Sequence, residues 1–356
     1  MSTQETIYCI KDLPVIQNRV YSTPEEAIAC PKGDVVLVKD SITGIIHNAA
    51  FRPELMGYDE NYQNEQGCSA VFQKHLLDVA AIIGRHFVGK SILEVGCGKG
   101  KFLELIREKG FSAIGIDPAY EGDAPNVIRK LFSPDLGVKG DGIILRHVLE
   151  HIPNPVTFLE SLAIANGRQG LIYIEIPCFD WIRENCAWFD IFYEHVNYFR
   201  LSDFSRIFRN IIEWGKLFGG QYLYIVADLG TLGMNDEEGS GDFHLPSNFL
   251  DGINQAKAIM RERNGKKVIW GGASKGVIFA LHLARRDVAN LSFVIDINPA
   301  KQGKYLPATG LPVLDPETGL ARLNPGDTIF VMNSNYLDEI RLQAGEQFIY
   351  HTIDRN

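Results

Sequence analysis

The stretch Ser91-Ile92-Leu93-Glu94-Val95-Gly96-Cys97-Gly98-Lys99-Gly100 decides the reading of this chain. Five residues suited to a buried strand run into a cluster of glycines. A helical pattern then extends from Lys101 to Lys109 and is closed by Gly110. A second short strand, Ala113–Ile116, ends at Asp117. Strand, glycine turn, helix and strand make a βαβ unit, which predicts a parallel sheet. Glycines belong at such a turn because it needs positive φ and because a ligand must approach the backbone closely.

The spacing narrows the ligand. A dinucleotide pyrophosphate calls for G-x-G-x-x-G over a helix N-terminus. Here the third glycine comes one residue early, and Lys101 stands where that pattern has Gly or Ala. Glu94 would repel a pyrophosphate but suits a cationic group. Asp117 can take a ribose diol through its two oxygens. A ribose and a positive centre without phosphate describe S-adenosylmethionine.

Outward from this stretch, 356 residues imply two or three domains, and 46% hydrophobic residues are ample for a core without disulfide or metal staples. The net charge of -9 speaks against a nucleic-acid grip, which needs clustered Lys and Arg. No apolar run approaches the roughly 18–20 residues of a membrane helix. The N-terminal MSTQETIYCIKDLP lacks a signal-peptide pattern, and the six cysteines show no C-x-x-C spacing. Together these predict free thiols in a reducing cytoplasm.

The organisation reads as four segments. Residues 1–67 form a small β-rich domain with runs at Val35–Val38 and Gly44–Ile46. Residues 68–228 form the ligand-binding core. It opens with a helix showing Val71, His75, Leu76, Val79, Ala80 and Ile83 on one face, ending near Gly84. A strand at Gly142–Leu145 leads into a short helix cut off by Pro153, and a further strand spans Gly170–Ile176. The acidic, glycine-rich stretch 229–246 reads as a linker. In 247–356, Ser247 is placed to cap a helix carrying Phe249, Ile253, Ala256 and Met260. The earlier grammar then repeats: strand Lys267–Trp270, turn Gly271–Ser274, helix to Arg286, strand Leu291–Ile295, and Asp296. The predicted fold class is α/β, with a Rossmann-like core, a small β-rich N-terminal domain and a second Rossmann-like C-terminal domain.

Two histidine clusters remain. His147-Val148-Leu149-Glu150-His151 fits H-x-x-E-H, a zinc-peptidase pattern. It directly follows a strand, Pro153 limits its helix, and no isolated downstream acid offers a third ligand, so the peptidase reading is set aside. Phe192 to Phe199 alternates aromatics around Glu194 and His195. It suits a packed strand, yet a histidine is also the natural general base near neutral pH. Neighbouring side chains point apart in a strand, so a Glu194–His195 dyad needs a loop or bulge. Spacing alone leaves both readings open.

The sequence resembles the class I S-adenosylmethionine-dependent methyltransferases through ILEVGCGKGKFLELI, IGIDP and IILRHVLEHI. The resemblance implies that Glu94, Gly96, Gly98, Gly100, Asp117 and Pro118 hold the cofactor, with Arg146 and His147 near it. Over its whole length the chain resembles the three-domain C-methyltransferases of deoxysugar biosynthesis. The segments IWGGASKGVIFALHL, VIDINPAKQGKYLPATGLPVLDPE and YEHVNYFRLSDF carry this likeness. It implies a nucleotide-linked keto-sugar as acceptor, His195 as the base, Glu194 as its partner and His151 as a polar group at the substrate. Tyr193, Asn197 and Lys275 are implied as further substrate contacts, and Tyr58 and Tyr62 as a cover over the cofactor.

The N-terminal domain departs from that family. Cys9 has no partner three residues on, and Asp40-Ser41-Ile42-Thr43-Gly44 stands where the family has C-x-x-C-G. Cys9, Cys30 and His47 lack the spacing of a tetrahedral site, so no metal is expected. In the C-terminal domain, the turn Gly271–Gly276 with Lys275 either cradles the substrate's phosphates or only packs. Asp296 either binds a ribose or caps a turn. The expected activity is methylation of a carbon in a nucleotide-linked keto-sugar or other small metabolite, with no nucleic-acid or membrane partner. Two alternatives are methylation of a hydroxyl or carboxyl oxygen, and cofactor binding without catalysis.

Overall fold

The structure is a computed structural model that describes residues 5–57, 62–63, 67–233, 243–284 and 291–354. Tyr58, Arg286 and the centre of the expected linker (234–242) lie outside the described residues. Three sheets organise what is described.

The N-terminal sheet contains β1 (Thr6–Pro14), β2 (Lys32–Lys39) and β3 (Ile46–Asn48), paired antiparallel in that order. The turn from β2 to β3 is held by Asp40, whose Oδ1 accepts from Thr43 N at 2.6 Å, Ile42 N at 3.0 Å and Thr43 Oγ1 at 2.8 Å. An Asp side chain folding back onto its own loop makes a stable turn. It occupies the place where the resembled family carries cysteines. Among the described residues, Cys9, Cys30 and His47 do not come together as a metal-ligating group, so the residues present do not fit the family's zinc.

The core sheet is built on the quoted stretch. A helix at Ala70–His86, capped by Ser69 Oγ on Phe72 N, buries Phe72, His75, Leu76, Val79, Ala80, Ile82 and Ile83. It runs two residues beyond the expected end at Gly84. Then come β4 (Ser91–Val95), the helix Lys101–Glu108, β5 (Ser112–Ile116), β6 (Val127–Ile128), β7 (Gly142–Arg146) and β8 (Leu171–Pro177). These five strands are parallel. The two-residue strand β9 (Asn197–Tyr198) leaves this sheet and pairs with β3, which fastens the N-terminal sheet to the core. A hairpin of β10 (Ile211–Leu217) and β11 (Tyr222–Asp228) completes the core sheet, with β11 antiparallel to β8. The order is β10-β11-β8-β7-β4-β5-β6. Strand order reverses between β4 and β7, and in open α/β sheets ligands bind at the carboxyl ends of strands flanking such a point.

The C-terminal sheet is wholly parallel: β12 (Lys267–Trp270), β13 (Leu291–Ile295), β14 (Val313–Leu314), β15 (Thr328–Val331) and β16 (Ile349–Thr352), in the order β14-β13-β12-β15-β16. The α/β reading with two Rossmann-like sheets therefore holds.

Local expectations differ at two helices. After β7 the chain forms only a 3-10 turn, Leu149–His151, because His147 takes φ +52 and Pro153 follows closely. The true helix comes later, at Pro155–Ala165. Ser247 caps nothing: 246–249 close as a turn, Phe249 N bonding Pro246 O at 3.0 Å, and the helix starts at Asp251.

Core and C-terminal domain share apolar surface. Trp188, 2% exposed, stacks on Phe279 at 6.1 Å and meets Phe189 and His282 edge-on. Trp188→Ala is expected to lower unfolding stability by about 3–5 kcal/mol, because the cavity opens at a rigid interface. Urea titration of the variant checks this.

Candidate active site

The glycine turn closes as its spacing demands. Gly96 N bonds Ile116 O at 2.7 Å, and Gly100 begins the following helix. Gly96 takes φ +78, and a Cβ there would lie 2.2 Å from Val148 Cγ2. Gly98 takes φ +55, and a Cβ there would meet open space. The second position is where a ligand approaches the backbone. Asp117 stands across the turn, Oδ2 accepting from Gly98 N and Oδ1 from Ala119 N, both at 2.8 Å. Exposed Pro118 separates these two contacts in the chain.

Glu94 is 2% exposed, and its Oε2 has no hydrogen-bond partner among the described residues. Burial, opposed by Arg146 and assisted by Asp117 and Glu175, pushes its carboxyl pKa up to about 7. A buried, unsatisfied carboxylate beside an open glycine turn fits a ligand ammonium, and Asp117 fits a ribose. These residues therefore fit S-adenosylmethionine.

Beside Glu94 lies a charge network that sequence reasoning missed. Glu175 of β8 is fully buried. His75 Nε2 is 3.1 Å from its Oε1, Arg146 Nη2 3.2 Å and His147 Nε2 3.0 Å, while Tyr173 OH donates to Oε2 at 2.6 Å. Burial opposes the charge, but Arg146 and the two histidines outweigh it and hold Glu175 well below the usual carboxylate range. The Arg146 guanidinium also lies 4.5 Å from the centre of the Phe102 ring. His147 reaches Glu150 Oε1 at 3.4 Å. Burial works against its proton, yet Glu150 and Glu175 raise its pKa to about 9, so it is positive at neutral pH. The signal for Glu175 was present: a lone acid in the apolar run Leu171–Pro177 must have buried partners.

The Glu-His element is not a regular strand. Tyr193 and Glu194 form a turn, which sends adjacent side chains to different places. Glu194, 1% exposed, accepts from Gln17 N at 2.5 Å and Asn18 N at 3.3 Å, with a further side-chain hydrogen bond from Tyr62. Its carboxylate thus latches the N-terminal domain and is not paired with His195. Tyr62, expected over the cofactor, belongs to this latch. Its neighbour Gln63 is the residue that reaches the glycine turn, at Lys99 Nζ, 3.4 Å away.

His195 is 9% exposed, and its Nδ1 has no hydrogen-bond partner among the described residues. Phe192 packs on the ring at 3.9 Å, and His151 meets it edge-on at 5.1 Å. Burial first, and then the neighbouring His151, His147 and Lys275, drive its pKa well below the ordinary histidine range. At neutral pH the ring is uncharged and carries a free lone pair. His151 is oriented by Nδ1 against Glu194 O at 2.8 Å. His151 and His195 are therefore together.

The other expected substrate contacts are engaged elsewhere. The Tyr193 ring is fully buried against Gly33 and Phe51, and its hydroxyl accepts from Arg52 N at 2.8 Å. It packs the core against the N-terminal sheet. Asn197 Nδ2 donates to Ile152 O at 2.6 Å and holds the turn that carries His151. Lys275 pairs with Asp190 Oδ2 and Gln221 Oε1, each at 2.9 Å, so its charge is neutralised within the protein. Asp296 caps its own turn, accepting from Gly272 N at 2.7 Å and Asn298 N at 2.8 Å. This repeats the Asp117 arrangement, except that buried Lys301 stands 3.9 Å away.

The Glu94 environment predicts pH-dependent cofactor affinity. In the empty pocket the carboxyl binds a proton near pH 7, and only the ionised form attracts an ammonium. Affinity for S-adenosylhomocysteine is expected to rise between pH 6 and 8 in wild type, by roughly tenfold at most. Glu94→Gln is expected to bind more weakly and to flatten this dependence, as calorimetry across that range would show.

Comparison with known proteins agrees with the geometry. Residues 67–211 match the family described as "Methyltransferase domain", and residues 247–350 match "C-methyltransferase C-terminal domain". The C-methyltransferase NovU of Streptomyces niveus is 24% identical over 291 residues, spanning 71% of this chain and 68% of that protein. The mitochondrial ubiquinone biosynthesis O-methyltransferase of Homo sapiens is 28% identical over 109 residues, 26% of this chain and 30% of that protein. A solved SAM-dependent methyltransferase from Anabaena variabilis aligns at TM-score 0.33 and 19% identity, over 45% of this chain and 86% of its own. Among the described residues, no helix is long and apolar enough to cross a membrane. A core with the glycine turn, the unsatisfied Glu94 and Asp117, followed by a matching C-terminal domain, places this chain among the S-adenosylmethionine-dependent methyltransferases.

Proposed function

We propose that the chain methylates a carbon atom beside the carbonyl group of a nucleotide-linked keto-sugar. The observation that carries this reading is His195: a buried, uncharged imidazole with an unpartnered nitrogen, facing His151. Methylation at carbon is also the activity named for the matching C-terminal domain.

The bound cofactor supplies an electrophilic methyl group on a sulfonium. This chain's residues hold and deprotonate the acceptor. Glu94 would hold the cofactor's ammonium and Asp117 its ribose. His195 would take the proton from the carbon beside the carbonyl, leaving that carbon's electron pair for the methyl group, which the cofactor would give up as its sulfur–methyl bond breaks. The proton on His195 would then pass to solvent. Placing a base against the reacting carbon contributes by proximity and by general-base catalysis. Glu194 contributes indirectly: its backbone carbonyl orients His151, while its carboxylate keeps the N-terminal domain over the site.

The test uses a nucleotide-linked keto-sugar in deuterium oxide with S-adenosylhomocysteine in place of the methyl donor. Wild type is expected to wash deuterium into the position beside the carbonyl. His195→Ala is expected to slow this by about a hundredfold or more while still binding S-adenosylhomocysteine. Exchange that persists in His195→Ala, or a methyl product that keeps every C–H bond, would replace this reading with methylation at oxygen.

A further inference from the structure

The H-x-x-E-H stretch is not helical, so His147 and His151 do not share a helix face. The 3-10 turn at Leu149–His151 instead brings Glu150 and His151 to His195, 44 residues onward in the chain. One ligating atom from each of these three lies within 4.8 Å of the others. Val196 N bonds Glu150 O at 2.8 Å, so backbone pairing holds the two segments in register.

The donor atoms are in the state a cation requires. Glu150 is 1% exposed, and among the described residues neither carboxylate oxygen accepts a hydrogen bond. It faces His147 Nδ1 at 3.4 Å. His151 Nδ1 faces Glu194 O, and a carbonyl only accepts, so Nδ1 carries the hydrogen and Nε2 the lone pair. An imidazole N–H held by a carbonyl is the usual outer contact of a metal-binding histidine. His195 Nδ1 is buried without a partner. Among the described residues a second group, His75, His147 and Glu175, also clusters. There the carboxylate is already satisfied by Arg146 and Tyr173.

We propose that Glu150, His151 and His195 form a binding site for a divalent transition-metal cation of the zinc or cobalt class. Two imidazoles and one carboxylate suit such ions, and three protein ligands leave a position open. The consequence rests on the proposed function, which makes His195 the base. A cation on that imidazole takes the lone pair that proton removal needs, so ion binding and deprotonation exclude each other.

The experiment titrates wild type, Glu150→Gln and His195→Ala with cobalt(II), read by visible absorption, with S-adenosylhomocysteine calorimetry as the check on folding. Wild type is expected to saturate at one cobalt per chain, with nitrogen and oxygen ligand-field bands and no thiolate charge transfer. Each substitution is expected to weaken binding roughly tenfold or more while cofactor binding persists. Zinc is expected to displace cobalt and to stop deuterium exchange in wild type, with recovery on chelation. Absence of saturable binding, thiolate bands, or unchanged affinity in both variants overturns the site. If zinc binds and exchange continues undiminished, the site stands and His195 loses its role as base. If no ion binds but His195→Ala abolishes exchange, only the base assignment survives.

Discussion

A carboxylate with no exposure to water has to be neutralised inside the protein, and Glu175 imposes that demand on everything around it. Desolvating a charge costs far more than one hydrogen bond returns, so several partners are needed. They come from different elements: His75 from the first core helix, Arg146 and His147 from the end of β7, and Tyr173 from its own strand. Satisfying Glu175 therefore fixes how that helix lies on the sheet and where the chain leaves β7. That exit carries Glu150 and His151, and it places positive charge near His195.

The domains are joined by the same logic. Glu194 is buried at the edge of the core, and one oxygen of its carboxylate accepts from two amides of the N-terminal domain. Asn18, which supplies one of them, also donates its side chain to Ser274 at the end of the C-terminal glycine turn, at 3.0 Å. Asp190 and Lys275 form a second, charged link between core and C-terminal domain. Polar contacts thus join all three parts of the chain beside Glu194. Removing any one would leave a buried polar group without its partner, which is costly in itself.

Both Rossmann-like sheets use one device, an acid after the second strand that accepts from the glycine turn and from the amide two residues on. Asp117 and Asp296 are alike in this and differ in surroundings. Asp117 lies beside an open turn and the unsatisfied Glu94. Asp296 is buried with Lys301, which compensates its charge. The second sheet has kept the turn geometry, and its acid is committed to holding that turn.

The cofactor half of the site was legible in the sequence because its determinants are local. A glycine turn, the acid before it and the acid ending the next strand are fixed by chain geometry within a single βαβ unit. The alternation of strands and helices was equally readable, since hydrophobic period depends on near neighbours. The acceptor half was legible only as a list of residue types. Which carboxylate meets which histidine depends on turns that send adjacent side chains apart, as at Glu194 and His195, and on residues far apart in the chain, as with Glu150 and His195. Tyr193, Asn197 and Lys275 have the polar groups a substrate contact needs, yet packing committed them to Arg52, Ile152 and Asp190. The sequence by itself determined the fold class and the cofactor turn, because both follow from local backbone requirements. Only the tertiary structure decided the partners of the buried charges, because each charge must be satisfied by whatever the fold brings within reach.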